Sequence, residues 1–282
     1  MLASRPGSSF RPSSRETPPP MSISTPKRIS GRDNPEFKRF LAARARKARE
    51  LIMVEGRKLL EEAIRSGLRI EAVACGDQEV PPGLTAAGRM VQFSAPLMKS
   101  LSDVETHQGL IGLVERPRFK DDWLKAKGAF VLVLDGLQDP GNVGTLFRTA
   151  EAAGVSGVLL SRGCADPLSS KALRASAGSA FRLPHVLDLA VADLLERLPR
   201  DLALAAAVAG PGALSVFDEA PLSLPLALAL GSEGSGLDPR IERASSRRIR
   251  VPSARDVESL NVAAAGAIVM FEIARRAGIL RN

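Results

Sequence analysis

The sequence predicts an α/β protein: a doubly wound parallel sheet in the C-terminal part, preceded by a smaller N-terminal α/β domain. Three observations carry this. Residues 129–154, AFVLVLDGLQDPGNVGTLFRTAEAAG, read as strand, tight loop and helix. After the first strand at 129–134, short apolar runs at 157–161, 185–188, 202–208, 226–230 and 248–251 alternate with helical segments, the pattern of a parallel sheet with helical crossovers. Ahead of them, the polar stretch 116–128, RPRFKDDWLKAKG, reads as a linker that sets off a smaller β and α alternation with a mixed sheet.

The chain of 282 residues carries 39 basic and 31 acidic side chains, a net charge of +8. The first fifty residues hold 12 basic and 4 acidic ones, which leaves 27 of each for the rest. The excess is therefore a basic arm on a neutral body, and such an arm faces a polyanion. Residues 1–35 are rich in Ser, Pro and Arg, with Pro18, Pro19 and Pro20 in a row, and are predicted to be disordered. An Arg/Ser-rich start also fits an organellar transit peptide, although Glu16 and the prolines interrupt any amphipathic helix. Met21 is an alternative start.

Residues 36–50, EFKRFLAARARKARE, are predicted helical, with Phe37, Phe40 and Leu41 as a narrow apolar stripe. Lys38, Arg39, Arg44, Arg46 and Lys47 on that helix are candidate phosphate contacts, as is Arg57 beyond it. A helix is expected over Glu55–Ser66 up to Gly67, then strand 70–74, a Gly/Pro-rich connection at 76–88, strand 90–93, a short helix opened by Ser94, and strand 109–114. His107 has no acid/base partner in view and reads as a packing or turn residue. Trp123 reads as a packing anchor in the linker.

In the C-terminal part, the loop after the strand 129–134 lies where α/β sheets bind ligands, at a carboxyl end. Asn142 opens the following helix and Arg148 lies less than two turns further on. Residues 170–181 are expected to form one helix, with Lys171 and Arg174 presenting cations near the crevice. In LALALGSEGSGLD, Gly231, Gly234 and Gly236 permit close backbone approach to a ligand. Their G-x-x-G-x-G spacing is neither the dinucleotide fingerprint nor a P-loop, which argues against a nicotinamide cofactor or ATP. Glu233 in that loop is placed to accept hydrogen bonds from a substrate or to hold an arginine. Ser259 and Asn261 open a long apolar final helix, where such side chains cap free N–H groups. Cys75 and Cys164 make no disulfide framework, which fits a reducing compartment. No Cys/His cluster suggests a metal. No apolar run reaches the roughly 18 residues of a membrane span, and the first residues lack the apolar core expected of a secretory signal.

Three motifs in order, DPGNVGTLFRTAEAAG, LALGSEGSGLD and RVPSARDVESLNVAAAGAIVMFE, resemble the SpoU/TrmH branch of the SPOUT RNA methyltransferases. ISGRDNPEFKRFLAARARKARELIMVEGRKLLEEAI and THQGLIGLVE resemble the start and end of that family's N-terminal substrate-binding domain. The resemblance covers roughly residues 28–280. It implies a disordered extension at 1–27, an RNA substrate-binding domain at 28–116, a linker at 117–127 and a trefoil-knotted SPOUT domain at 128–282. It implies a homodimer that transfers a methyl group from S-adenosylmethionine to an RNA ribose 2′-hydroxyl, with large-subunit 23S rRNA as the expected substrate. A tRNA 2′-O-methyltransferase and a non-catalytic RNA-binding or ribosome-assembly protein are the alternatives. The expected location is cytoplasmic, with a mitochondrial one as the alternative; neither membrane nor metal is expected to take part. By motif position, Arg148, Asn142, Glu233, Ser259 and Asn261 are implied around the ribose and methyl donor. Gly231, Ser232, Val251 and Leu260 are implied at the cofactor, and the cations at 38, 39, 44, 46, 47, 57, 171 and 174 at the RNA. The chain departs from the pattern at Val251-Pro252-Ser253, often Ile-Pro-Met, and at Ala263, often Ser. An ordinary arginine stays protonated, so Arg148 is expected first to orient the ribose or its phosphate.

Overall fold

The computed structural model of the chain describes residues 28–103, 109–210, 212–218, 222–255 and 259–280. The predicted N-terminal extension and His107 lie outside them. Helix α1 (Pro35–Arg44) starts where the Asn34 side chain accepts a hydrogen bond from the Glu36 amide at 2.9 Å, with Pro35 fitting the first turn. It does not run to residue 50 as predicted. Beyond Ala43 the run RARKARE offers no large apolar side chain to pack, and Arg46 turns left-handed at φ 57°. The next residues form a strand absent from the predicted elements, β1 (Leu51–Glu55). Gly56, at φ 99°, then delays α2 to Arg57–Arg65. β2 (Ile70–Cys75), α3 (Pro82–Ala87), β3 (Arg89–Gln92), α4 (Ala95–Leu101) and β4 (Leu110–Glu115) follow, with α3 inside the expected connection. The strands order as β1-β4-β2-β3, with β2 and β3 parallel and the other pairs antiparallel, the mixed sheet the sequence predicts. Phe37 and Phe40 meet Phe93 edge-on, at 5.5 and 5.4 Å between ring centroids, and seat α1 on this sheet.

The linker is docked rather than free. Its short 3-10 turn, Asp121–Lys125, buries Trp123 and Leu124. The indole lies where a Cβ on Gly157 would stand.

The second sheet has seven strands: β5 (Phe130–Asp135), β6 (Gly157–Ser161), β7 (His185–Leu189), β8 (Ala203–Ala207), β9 (Leu214–Ser215), β10 (Leu226–Gly231) and β11 (Arg247–Arg250). Their order is β7-β6-β5-β10-β8-β11-β9 and every pairing is parallel. The helices are α5 (Pro140–Ala152), α6 (Ser170–Ser176), α7 (Val191–Arg197), α8 (Pro239–Ala244) and α9 (Val262–Arg276). Phe147, Leu173 and Met270 of α5, α6 and α9 join the core on one face. Leu194 and Ile241 of α7 and α8 join Trp123 on the other. Coverage of both faces explains why the strands read as unbroken apolar runs. The single helix expected over 170–181 breaks at Ala177 (φ 49°) and Gly178 (φ 87°) and ends in a 3-10 turn, Ser179–Phe181.

The two sheets share one contiguous core, which takes in Val54, Leu60 and Val114 of the first as well as Phe147 and Phe181 of the second. Arg182 adds a polar clasp. It donates to both Glu151 carboxylate oxygens at 2.6 and 2.8 Å, to Ser66 at 3.1 Å, and to Glu62 of α2.

Candidate active site

The parallel strands end together at one rim. Residues after β8, β10 and β11 line a cavity of about 510 Å³ there, closed on another side by Ser259 and Leu260 ahead of α9. The central strand β10 finishes at Gly231, and the glycine loop folds back so that Ser232 and Gly236 exchange backbone hydrogen bonds of 3.1 and 2.9 Å. A Cβ on Gly231 would collide with the backbone of Gly236 and Leu237, so the turn requires glycine. Gly236 itself sits at φ 69°.

Beside the cavity, three motifs far apart in sequence meet. Asn142 donates to Glu233 Oε1 at 3.3 Å. Asn261 donates to the same oxygen at 2.7 Å and to Asn142 Oδ1 at 3.1 Å. The Asn261 carboxamide oxygen meanwhile caps α9, accepting from the amides of Ala263 and Ala264 at 3.0 and 3.3 Å. Capping fixes the amide so that its nitrogen must face Glu233. The cap of α9 and the contact to Glu233 are thus made by one side chain in one geometry.

Of the residues expected at the cofactor, Gly231, Ser232, Val251 and Leu260 all line the cavity, and Ser259 joins them. Arg148 does not. Six residues on from Asn142, at about 100° per residue, it points off another side of α5. It is exposed and makes no hydrogen bond or ion pair among the described residues. Glu233 is therefore held by two amides and not by this arginine.

The expected phosphate contacts divide. Lys38 faces Asp33 at 3.1 Å and Arg57 faces Glu61 at 2.7 Å, both on open surface. Lys47 is exposed. Arg39 pairs with Glu71, and Arg44 with Asp103 at 2.7 Å, which ties α1 to its own unit. Lys171 reaches Asp139, the cap of α5, at 2.6 Å. That contact, with the amide of Gly141, holds the Asp139 carboxyl below its ordinary range. Arg174 lies 3.9 Å from buried Glu55, and Arg46 3.8 Å from buried Asp166.

Asp135, at the end of β5, had shown in the sequence only as the polar stop of an apolar run. It is buried, and it accepts from the Ser161 hydroxyl and the Asp238 amide, both at 2.6 Å. It thereby fixes the far end of the glycine loop. At the outer rim Arg248 pairs with Glu242 at 2.9 Å. Among the described residues no cluster of His, Cys, Asp and Glu is arranged to hold a metal, and no helix is long and apolar enough to cross a membrane.

A parallel sheet whose carboxyl rim carries a cavity, a folded-back glycine loop and an Asn–Glu–Asn cluster, joined to a separate mixed-sheet unit, is the architecture of a SPOUT-type methyltransferase. The chain belongs to the SpoU rRNA methylase family, which matches residues 129–271. An MRM3-like substrate binding domain matches residues 34–112. The 23S rRNA (guanosine(2553)-2′-O)-methyltransferase RlmP of Bacillus subtilis is 31% identical over 239 residues, 84% of this chain and 94% of that protein. The 23S rRNA (guanosine-2′-O-)-methyltransferase RlmB of Yersinia pestis is 30% identical over 203 residues, 70% of this chain and 82% of that one. Among solved structures, the AdoMet-bound rRNA methyltransferase of Sinorhizobium meliloti superposes with a TM-score of 0.77 at 27% identity, covering 90% of this chain and 99% of that one.

Proposed function

We propose that the protein methylates the 2′-hydroxyl of a ribose in large-subunit rRNA, using S-adenosylmethionine. The observation that carries this reading is the convergence of Asn142, Glu233 and Asn261 beside a cavity bounded by Gly231, Val251 and Leu260. The cavity's volume lies within the roughly 300–1,000 Å³ of small-molecule sites, and its walls combine apolar side chains with backbone that glycine leaves accessible. Gly231, Ser232, Val251 and Leu260 would hold the cofactor. When bound, that cofactor supplies an electrophilic methyl group.

The protein's own contribution is positioning. A ribose hydroxyl must lose or share its proton as the new oxygen–carbon bond forms, and in-line placement is a large share of the barrier. Asn142 and Asn261 fix the Glu233 carboxyl at the mouth of the cavity as a hydrogen-bond acceptor facing the incoming ribose. Arg148, exposed and without a partner among the described residues, supplies a cation to orient the ribose phosphate. The names of the RlmP and RlmB relatives favour rRNA over tRNA. The clustered asparagines and Glu233 favour an enzyme over a silent RNA-binding protein.

The homodimer and the knot of the family belong to the same reading. Ile268 and Phe271 leave an apolar strip exposed on α9 that a second copy would cover. Light scattering coupled to gel filtration tests the dimer. Cytoplasmic location, or mitochondrial where the relatives are mitochondrial, follows the rRNA.

The central test maps 2′-O-methylation across rRNA and tRNA with and without this protein. A single rRNA site lost, restored by the wild type and not by Arg148→Ala, is expected. Restoration by Arg148→Ala at the wild-type rate removes Arg148 from the site, and a lost tRNA site moves the substrate.

A further inference from the structure

A second, smaller cleft of about 100 Å³ lies at the seam between the two units. On one side stand the end of α1 and the start of β1; on the other stand residues 166–170, leading into α6. Three arginines line it, Arg44, Arg46 and Arg116, against two carboxylates, Asp103 and Asp166. Arg44 and Asp103 satisfy each other at 2.7 Å. That leaves Asp166 to serve two guanidiniums. Its Oδ1 is committed to the Leu168 amide at 2.8 Å, and its Oδ2 stands 3.3 Å from Arg116 and 3.8 Å from Arg46. Among the described residues neither arginine has the close bidentate partner that a guanidinium fork takes, and those that line the cleft carry one positive charge in excess.

One further observation points to an anionic ligand. The Ser169 hydroxyl oxygen in the cleft wall is buried and has no hydrogen-bond partner among the described residues.

We propose that this seam binds a backbone phosphate of the substrate RNA, with Arg46 and Arg116 donating to its oxygens and the Ser169 hydroxyl completing the set. The inference rests on the reading that RNA is the substrate. The seam sits on the way to the reaction centre: Ser170 lines it, and the next residue, Lys171, faces Asp139 at the head of the helix that carries Asn142. A strand lying along the start of α6 would meet the seam before its ribose meets Asn142.

Phosphate contacts are independent of sequence and reveal themselves in the salt dependence of binding. A labelled mixed-sequence RNA hairpin therefore suffices as the probe, and no knowledge of the methylated nucleotide is needed. Anisotropy titrations between roughly 50 and 200 mM salt should give Arg46→Ala a slope of log K against log salt shallower by about 0.7–0.9, and about fivefold weaker binding near 0.1 M. Arg200→Ala removes the same charge just ahead of β8, at the amino ends of the strands and the opposite rim. It should keep the wild-type slope. Asp166→Asn keeps the acceptor for the Leu168 amide and frees both guanidiniums, so it should tighten RNA binding. A wild-type slope for Arg46→Ala overturns the proposal, as does an equal change in Arg200→Ala. So does weaker binding by Asp166→Asn with unchanged melting, which would mean that Asp166 only braces the arginines. S-adenosylmethionine titrated into the same variants by calorimetry should bind as in wild type. Loss of that binding in the wild type would instead count against the methyl-transfer reading, leaving the seam to be judged on RNA alone.

Discussion

Asn261 holds two loads that substitution can separate. Asn261→Ser keeps an oxygen for the α9 cap and loses the amide donors to Glu233 and Asn142; Asn261→Ala loses both. The cap is worth about 1 kcal/mol. The charge-assisted donation to Glu233 is worth about 1.5 kcal/mol, at the low end of such bonds because the cluster is open to water. Alanine should then cost about 2.5 kcal/mol and serine about 1.5. At about 2–4 °C of melting temperature per kcal/mol for a chain of this order, these become roughly 5–10 °C and 3–6 °C. Asn261→Asp keeps the cap but sets a second carboxylate near the 2.7 Å now spanned by the amide. With water-like screening that repulsion adds about 1.5 kcal/mol, so the aspartate should melt below the serine variant at pH 7. The repulsion raises the pKa of one carboxyl of the pair, so its stabilising protonated form is gained as pH falls and lost as pH rises. The aspartate variant should therefore close the gap on serine upon acidification to about pH 5. Thermal melts of the three variants at pH 7 and 5, with methyl transfer measured alongside, decide it. Equal melting of serine and alanine, or an aspartate variant indifferent to pH, would falsify the double role of Asn261.

Other outcomes follow from the same geometry. Gly231→Ala should weaken S-adenosylmethionine binding at least tenfold by calorimetry, because its Cβ meets the Gly236 backbone. Arg148→Ala should lower the methylation rate about 10²-fold with cofactor affinity unchanged, since Arg148 is not in the cavity wall; a matching loss of cofactor affinity would contradict that placement. Arg275 and Arg276 hold the Glu272 carboxyl down at about 2, from an ordinary 4.5. Its stabilising charge is thus present above about pH 4.5 and lost as pH falls towards 2, and Glu272→Gln should flatten the acid limb of the melting profile over that window. Arg182→Ala should expose the linker at 116–128 to limited proteolysis, because it removes the clasp between Glu62 and Glu151.

The parallel sheet was legible in the sequence because strands covered on both faces spell continuous apolar runs, and the β5 and β10 registers follow them residue for residue. The mixed sheet was less so. β1 was hidden because its five residues lie between two charged helical patterns, and α1 was overextended because Arg and Lys favour helix wherever nothing forbids it. The break in 170–181 depends on Ala177 going left-handed, which no alanine announces. At the site, each of Asn142, Glu233 and Asn261 had an adequate local reading as turn, loop or cap. What brings them together is contacts across 91, 28 and 119 residues of chain, which no local window contains. Asp135 was passed over for the same reason: its partners are Ser161 and Asp238.

The core shared by the two sheets, with Arg182 clasped across it, has a consequence for how RNA is chosen. A module on a loose tether would scan many geometries and accept any target within reach. Here the two units share one core, so on the proposed reading the separation between the first unit and Asn142 would be built in and the protein would work as a caliper. An RNA would then be accepted when its own fold presents a ribose at the set distance from the surface it docks by. Selectivity of that kind needs no base to be read. It should fail when the RNA is unfolded, even with the target nucleotide and its neighbours intact.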